Sequence, residues 1–164
     1  MISLNTWGGK LYEPLMRFIK NAAPGTDIFC FQELYFTREP FARAFDVEVN
    51  LAAELESLLA DFTMTERLAD EGAWISGLLP DRDVRMSQAI FVKTPIKIIE
   101  TGGFHTYTKD AETKSRSAES RESKIELVTG NFQFAIIKNK SETYCIGNVH
   151  GVWDSGYVGV YHLL

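Results

Sequence analysis

A chain of 164 residues, 45% of them hydrophobic and 24% charged, is long and apolar enough to bury one sizeable core. A formal net charge of −5 argues against attraction of polyanions through the overall field, although a bound divalent metal reverses the sign locally. No Cys/His cluster has zinc spacing, and no apolar run approaches the ~20 residues of a membrane-spanning helix. The expectation is one soluble, cytoplasmic domain over residues 1–164, with no membrane span.

In chain order, residues 1–7 predict a strand in which Ile2 and Leu4 alternate with Ser3 and Asn5, closed by Gly8 and Gly9. Leu11, Leu15, Phe18, Ile19 and Ala22 recur at helical spacing, and Pro24 and Gly25 stop that helix. Residues 27–34 form a short, mostly apolar run, as in a buried strand. Strand, helix, strand predicts a parallel βαβ unit with a right-handed crossover. Residues 35–47 read as a loop around Pro40, and Leu51, Leu55, Leu58 and Leu59 as a second amphipathic helix. A mixed block over 63–83 carries turn signals at Trp74, Gly77 and Pro80. Short strands follow at 89–92, 96–99 and 104–107, then a wholly polar loop at 108–124. Residues 132–138 and 143–149 read as a hairpin turning through 139–142. Cys30 and Cys145 each sit in an apolar stretch and are expected to be reduced core residues.

Three strand ends carry the polar chemistry. Asn5 closes the first strand, Gln32-Glu33 the second, and Gly147-Asn148-Val149-His150 the last. In a parallel pair both C-terminal ends open onto one edge, where ligand crevices of open α/β sheets lie. A carboxylate and a carboxamide placed there offer the hard oxygens that Mg²⁺ prefers. His150 can bond a phosphoryl oxygen or donate a proton, and Asn148, on the same face two residues back, can orient the imidazole. Each residue also has a plainer reading. Glu33 can be a solvated acid past a strand end, Asn5 a turn residue bonding its own backbone, and His150 a partly buried structural histidine.

Taken together, Leu4-Asn5-Thr6-Trp7, Asp27-Ile28-Phe29-Cys30-Phe31-Gln32-Glu33, Ala89-Ile90-Phe91-Val92 and Asn148-Val149-His150 resemble, in order and approximate spacing, the endonuclease/exonuclease/phosphatase superfamily. The resemblance runs to about Trp153. It implies a four-layer α/β (α+β) sandwich of two facing mixed sheets with outer helices, incomplete at the C-terminus. It also implies a divalent-metal-dependent hydrolase of phosphate esters. Glu33 would be the carboxylate ligand of Mg²⁺ (or Mn²⁺), Asn5 would lie beside metal and scissile phosphate, and His150 would contact the phosphate oxygens and help stabilise the transition state. The implied partner is a phosphate-ester substrate, nucleic acid among the candidates.

The sequence also departs from the family. No Asp is followed by Asn two positions on, and none of His105, His150 and His162 follows an Asp. The superfamily's Asp-x-Asn and Asp-His elements, which position and activate the attacking water, are therefore missing. This predicts a truncated or frame-shifted chain, weakly active or inactive alone and marginally stable. The alternative is a non-catalytic relative that binds a phosphorylated ligand or a protein partner. Substrate specificity is expected from the loops at 35–46 and 108–124; the latter has five basic and four acidic residues, so it is no basic patch.

Overall fold

The structure, a computed structural model, describes residues 1–37, 43–44, 47–48, 50–65, 68–70, 84–105 and 131–151. The described elements are β1 (Ile2–Asn5), α1 (Tyr12–Ala22), β2 (Ile28–Thr37), β3 (Arg43–Ala44), β4 (Val47–Glu48), α2 (Leu51–Leu58), β5 (Phe62–Met64), β6 (Leu68–Asp70), β7 (Val84–Lys93), β8 (Lys97–His105), β9 (Asn131–Asn139) and β10 (Glu142–His150). The polar segment 108–124 and the turn signals at Trp74, Gly77 and Pro80 lie outside the described residues.

The opening βαβ unit is present. β1 and β2 pair in parallel, Ile2 opposite Phe29 and Asn5 opposite Gln32. β7 pairs antiparallel with β2 and carries β5 and β6 along its other edge. A second, antiparallel sheet runs β10-β9-β8, and β3 pairs with β4 apart from both sheets. The expected hairpin has the expected turn: Lys140 takes the left-handed φ of 55° that a tight reversal demands.

Two cores separate three layers. On one side of β2 and β7, Phe29, Phe31, Ala89 and Phe91 pack against Ile19 of α1 and Leu51, Ala52 and Leu55 of α2. On the other side, Ile28, Cys30, Ile90 and Val92 meet Ala135 and Ile137 of β9. β2 therefore lacks polar alternation up to Phe31, because both of its faces are covered. The architecture is an α+β sandwich of helices, sheet and sheet. An outer helical layer on the second sheet is not among the described residues, and that face carries Phe104, Phe132, Phe134 and Val149.

Several expectations need correction. β2 does not end at Leu34 but runs to Thr37, with Tyr35 buried, because a bulge lets it resume pairing with β7. The runs expected at 96–99 and 104–107 are joined, as far as they are described, in one strand, β8 (Lys97–His105). Gly102 does not break it, because the Phe134 ring across the pair lies where a Cβ would stand, 2.6 Å away. Phe18 and Leu11, placed on the apolar helix face, are exposed. Cys30 is buried, and burial pushes its thiol up to about 11, but Cys145 is exposed on β10; both are free thiols.

The packing sets an expected contrast between two isoleucines. Ile90→Ala should lower the unfolding free energy by about 2–5 kcal/mol, the usual cost of a large-to-small change in a closed core. Ile99→Ala, at a bulged and exposed position of β8, should stay within about 0.5 kcal/mol. Urea denaturation of both variants checks this, and equal losses would contradict the assigned strand faces.

Candidate functional site

The bulge in β2 builds the site. Phe31 faces Ala89 and Leu34 faces Ser87, so Gln32 and Glu33 together oppose Gln88 alone. Glu33 absorbs the extra residue with φ 58°, a left-handed conformation that costs a non-glycine residue about 1–2 kcal/mol. Neighbours hold it there. The Thr6 hydroxyl donates across the carbonyls of Gln32 and Glu33, 2.9 Å from each, and Ser87 Oγ donates to Leu34 O at 3.0 Å.

Asn148 of β10 inserts at this irregularity. Its amide nitrogen donates to the carbonyls of Phe31 (3.0 Å) and Ala89 (3.3 Å), which flank the bulge. Its amide oxygen accepts from Gln32 Nε2 at 2.5 Å, and its backbone carbonyl accepts from Gln88 Nε2 at 3.0 Å. Asn148 thus clips the second sheet to both central strands of the first. The expectation that it orients the His150 ring is not what its amide does: both ends are spent on Gln32, Phe31 and Ala89. It positions the strand, and the strand positions His150. Gln133 Nε2, bonded to Thr65 Oγ1 at 3.1 Å, makes a second polar tie between the sheets.

The predicted residues Asn5, Glu33 and His150 come together. Asn5 Nδ2 donates to Glu33 Oε1 at 2.9 Å, while Asn5 Oδ1 accepts the Trp7 backbone N–H at 2.8 Å. Asn5 is therefore seated as a donor to the carboxylate, with its oxygen turned to the Trp7 amide. His150 Nε2 lies 3.4 Å from the same Glu33 oxygen, an ion-pair distance without hydrogen-bond alignment. That ring nitrogen is buried and has no hydrogen-bond partner among the described residues. Glu33 Oε2 takes no hydrogen bond from them either. Among the described residues no group of three or more His, Cys, Asp or Glu side chains could enclose a metal. One carboxylate with an unbonded oxygen fits a hydrated Mg²⁺, which needs only one or two carboxylates, and does not fit a closed zinc site.

Burial pushes the Glu33 carboxyl up, but the His150 and Asn5 contacts and the charges of His150 and Lys10 outweigh it and hold the group below its ordinary value. Burial, and then the charge on Glu33, push the Tyr35 phenol upward, so it stays protonated beside the carboxylate. Sequence reasoning gave no role to Gln32, Gln88, Thr6 or Lys10. The first three act through a bulge that residue spacing does not reveal, and Lys10 looks like an ordinary surface residue.

A carboxyl held low in the fold stabilises it above the unfolded value and loses that contribution as pH falls through the folded value. Wild-type and Glu33→Gln proteins should therefore differ in unfolding free energy above about pH 4.5, and the difference should shrink as pH falls below it. Urea denaturation at stepped pH measures it; a difference unchanged down to about pH 3 would contradict the assigned contacts.

No family model matches the sequence, and no curated protein is significantly similar to it. Solved structures do match. An endonuclease/exonuclease/phosphatase family protein from Leptotrichia buccalis superposes with a TM-score of 0.53 at 13% identity, over 85% of this chain and 47% of that one. An endonuclease/exonuclease/phosphatase from Bacteroides vulgatus gives 0.51 at 12% identity, over 91% and 50%. The chain spans about half the length of these structures. At such identity the likeness is one of fold: over most of its length the chain is built like about half of an endonuclease/exonuclease/phosphatase family protein.

Proposed function

We propose that this chain carries the metal-carboxylate and phosphate-contact side of a divalent-metal-dependent hydrolase of phosphate esters. The observation that carries the reading is the convergence of Asn5, Glu33 and His150, from three strands of two sheets, on one carboxylate oxygen. Glu33 holds Mg²⁺ or Mn²⁺, and the ion supplies charge neutralisation and polarisation at the phosphoryl group. Asn5 fixes the rotamer of that carboxylate through its 2.9 Å hydrogen bond. A carboxamide oxygen already accepting from Trp7 N–H makes Asn5 a weaker candidate for direct ligation. His150 contributes a buried N–H to a phosphoryl oxygen as charge develops there.

The fold likeness to endonuclease/exonuclease/phosphatase family proteins supports the general class of phosphoesterase. Within residues 1–164 there is no Asp-x-Asn and no Asp-His pair to hold and deprotonate water. One carboxylate and one imidazole do not both anchor a metal and activate a nucleophile, so turnover by these residues alone is weak or nil. The same absence favours a second reading, in which the cluster binds a phosphorylated ligand or a protein partner without hydrolysing it. Mg²⁺-dependent turnover of a chromogenic phosphodiester separates the two. For localisation, no described helix is long and apolar enough to cross a membrane.

Calorimetric titration with Mg²⁺ and Mn²⁺ should show Glu33→Gln binding sharply more weakly with its fold unchanged; equal affinity would remove Glu33 from the site. In a catalytically complete form, His150→Ala should lower turnover on the order of 10²–10⁴-fold and change substrate affinity much less. Near wild-type turnover in that variant would return His150 to a structural role.

A further inference from the structure

Trp7 is the feature beside the cluster that neither the core nor the proposed chemistry uses. It is 56% exposed, unusual for so large an apolar ring. Its backbone is left-handed at φ 51°, followed by Gly8 at 60° and Gly9 at 72°. Two glycines adopt that turn freely; a tryptophan does not. The start of the turn is fixed to the site: Trp7 N–H donates to Asn5 Oδ1, and Thr6 is bonded to the β2 bulge. Lys10 Nζ stands 4.8 Å from the indole centroid, covering part of one face. Its charge is also felt at Glu33.

We propose that Trp7 and Lys10 form a nucleotide subsite, the exposed indole stacking a base of the phosphodiester substrate while Lys10 neutralises its phosphate. This rests on the phosphoesterase reading and narrows its substrate to a nucleic-acid-like diester. The chemistry selects among phosphate esters. A sugar phosphate lays only a C–H face on an indole, a weaker contact than the stacking of two π-faces. A quaternary ammonium headgroup would favour a bare aromatic face, but here an ammonium already stands over the ring and repels a second cation. A base has a π-face of its own and stacks without added charge, with a nearby cation for its phosphate.

The test is calorimetric titration, in Mg²⁺, of three non-cleaved diesters: a dinucleoside phosphorothioate, the same backbone without bases, and glycerophosphocholine. The wild-type chain, Trp7→Gly, Trp7→Phe and Glu33→Gln are compared. Glycine suits the left-handed backbone, so Trp7→Gly removes the ring without adding strain. The wild type should bind the dinucleotide roughly tenfold tighter than the base-free diester, within the range for one stacked base. Trp7→Gly should lose that preference and keep the base-free affinity, and Trp7→Phe should retain most of the preference. Equal binding of the first two ligands, a preference that survives Trp7→Gly, tighter binding of glycerophosphocholine, or no binding of the dinucleotide would each overturn the subsite. Glu33→Gln separates the two readings. A base preference with affinity independent of Glu33 would keep the subsite and sink the metal-site reading. Glu33-dependent binding with no base preference would do the reverse.

Discussion

The arrangement of the site depends on one buried amide, that of Asn148, meeting the bulge of β2. A bulge interrupts the ladder and leaves backbone carbonyls in need of donors inside a sheet covered on both faces. Asn148 supplies them at Phe31 and Ala89 and receives the Gln32 amide in return. Each such group left unpaired in the interior would cost about 1–3 kcal/mol, so the polar seam specifies the stacking of the two sheets more sharply than the aliphatic core beside it. Ile28, Cys30, Ile90, Val92, Ala135 and Ile137 would tolerate small slides; the amide pair would not.

The bulge and the clip divide the work of placing the polar groups. The bulge turns Glu33 out of the β2 alternation toward Asn5, at the cost of a left-handed residue. The clip fixes β10, and His150, two positions along the same face as Asn148, comes within 3.4 Å of that carboxylate. Strain at one residue is thus offset by bonds from Thr6, Ser87 and Asn148. Sparse backbone conformations gather at Glu33 and Trp7, which flank the same edge, as is common where a ligand rather than the core sets the geometry.

Much of this was legible in the residues. The period of two in Ile2 and Leu4, the helical spacing through Ile19 and the apolar run before Gln32 each follow from local geometry, so the βαβ unit and its shared edge could be read directly. Asn5 and His150 followed because each closes a strand, and Glu33 because the apolar run stops there, although β2 itself continues to Thr37. What stayed hidden is what depends on pairing. Tyr35 and Phe36 looked like loop because the bulge that carries β2 past Glu33 leaves no mark in composition. β8 looked like two short runs because the ring that covers Gly102 between them belongs to β9. Asn148 looked like a partner of His150 because spacing gives the face a residue occupies, not the strand it meets there. Trp7 looked like the end of a strand, although the Asn5 side chain caps its N–H and bends the chain away.

The Gln32–Asn148 amide pair locks the two sheets in register and thereby assembles the site. A double-mutant cycle on Gln32→Ala and Asn148→Ala, read as unfolding free energy from urea denaturation, tests it most directly. Strong coupling is expected, at least ~1 kcal/mol between the two substitutions. Losses that add to within about 0.3 kcal/mol would show that the two amides act independently and would contradict it.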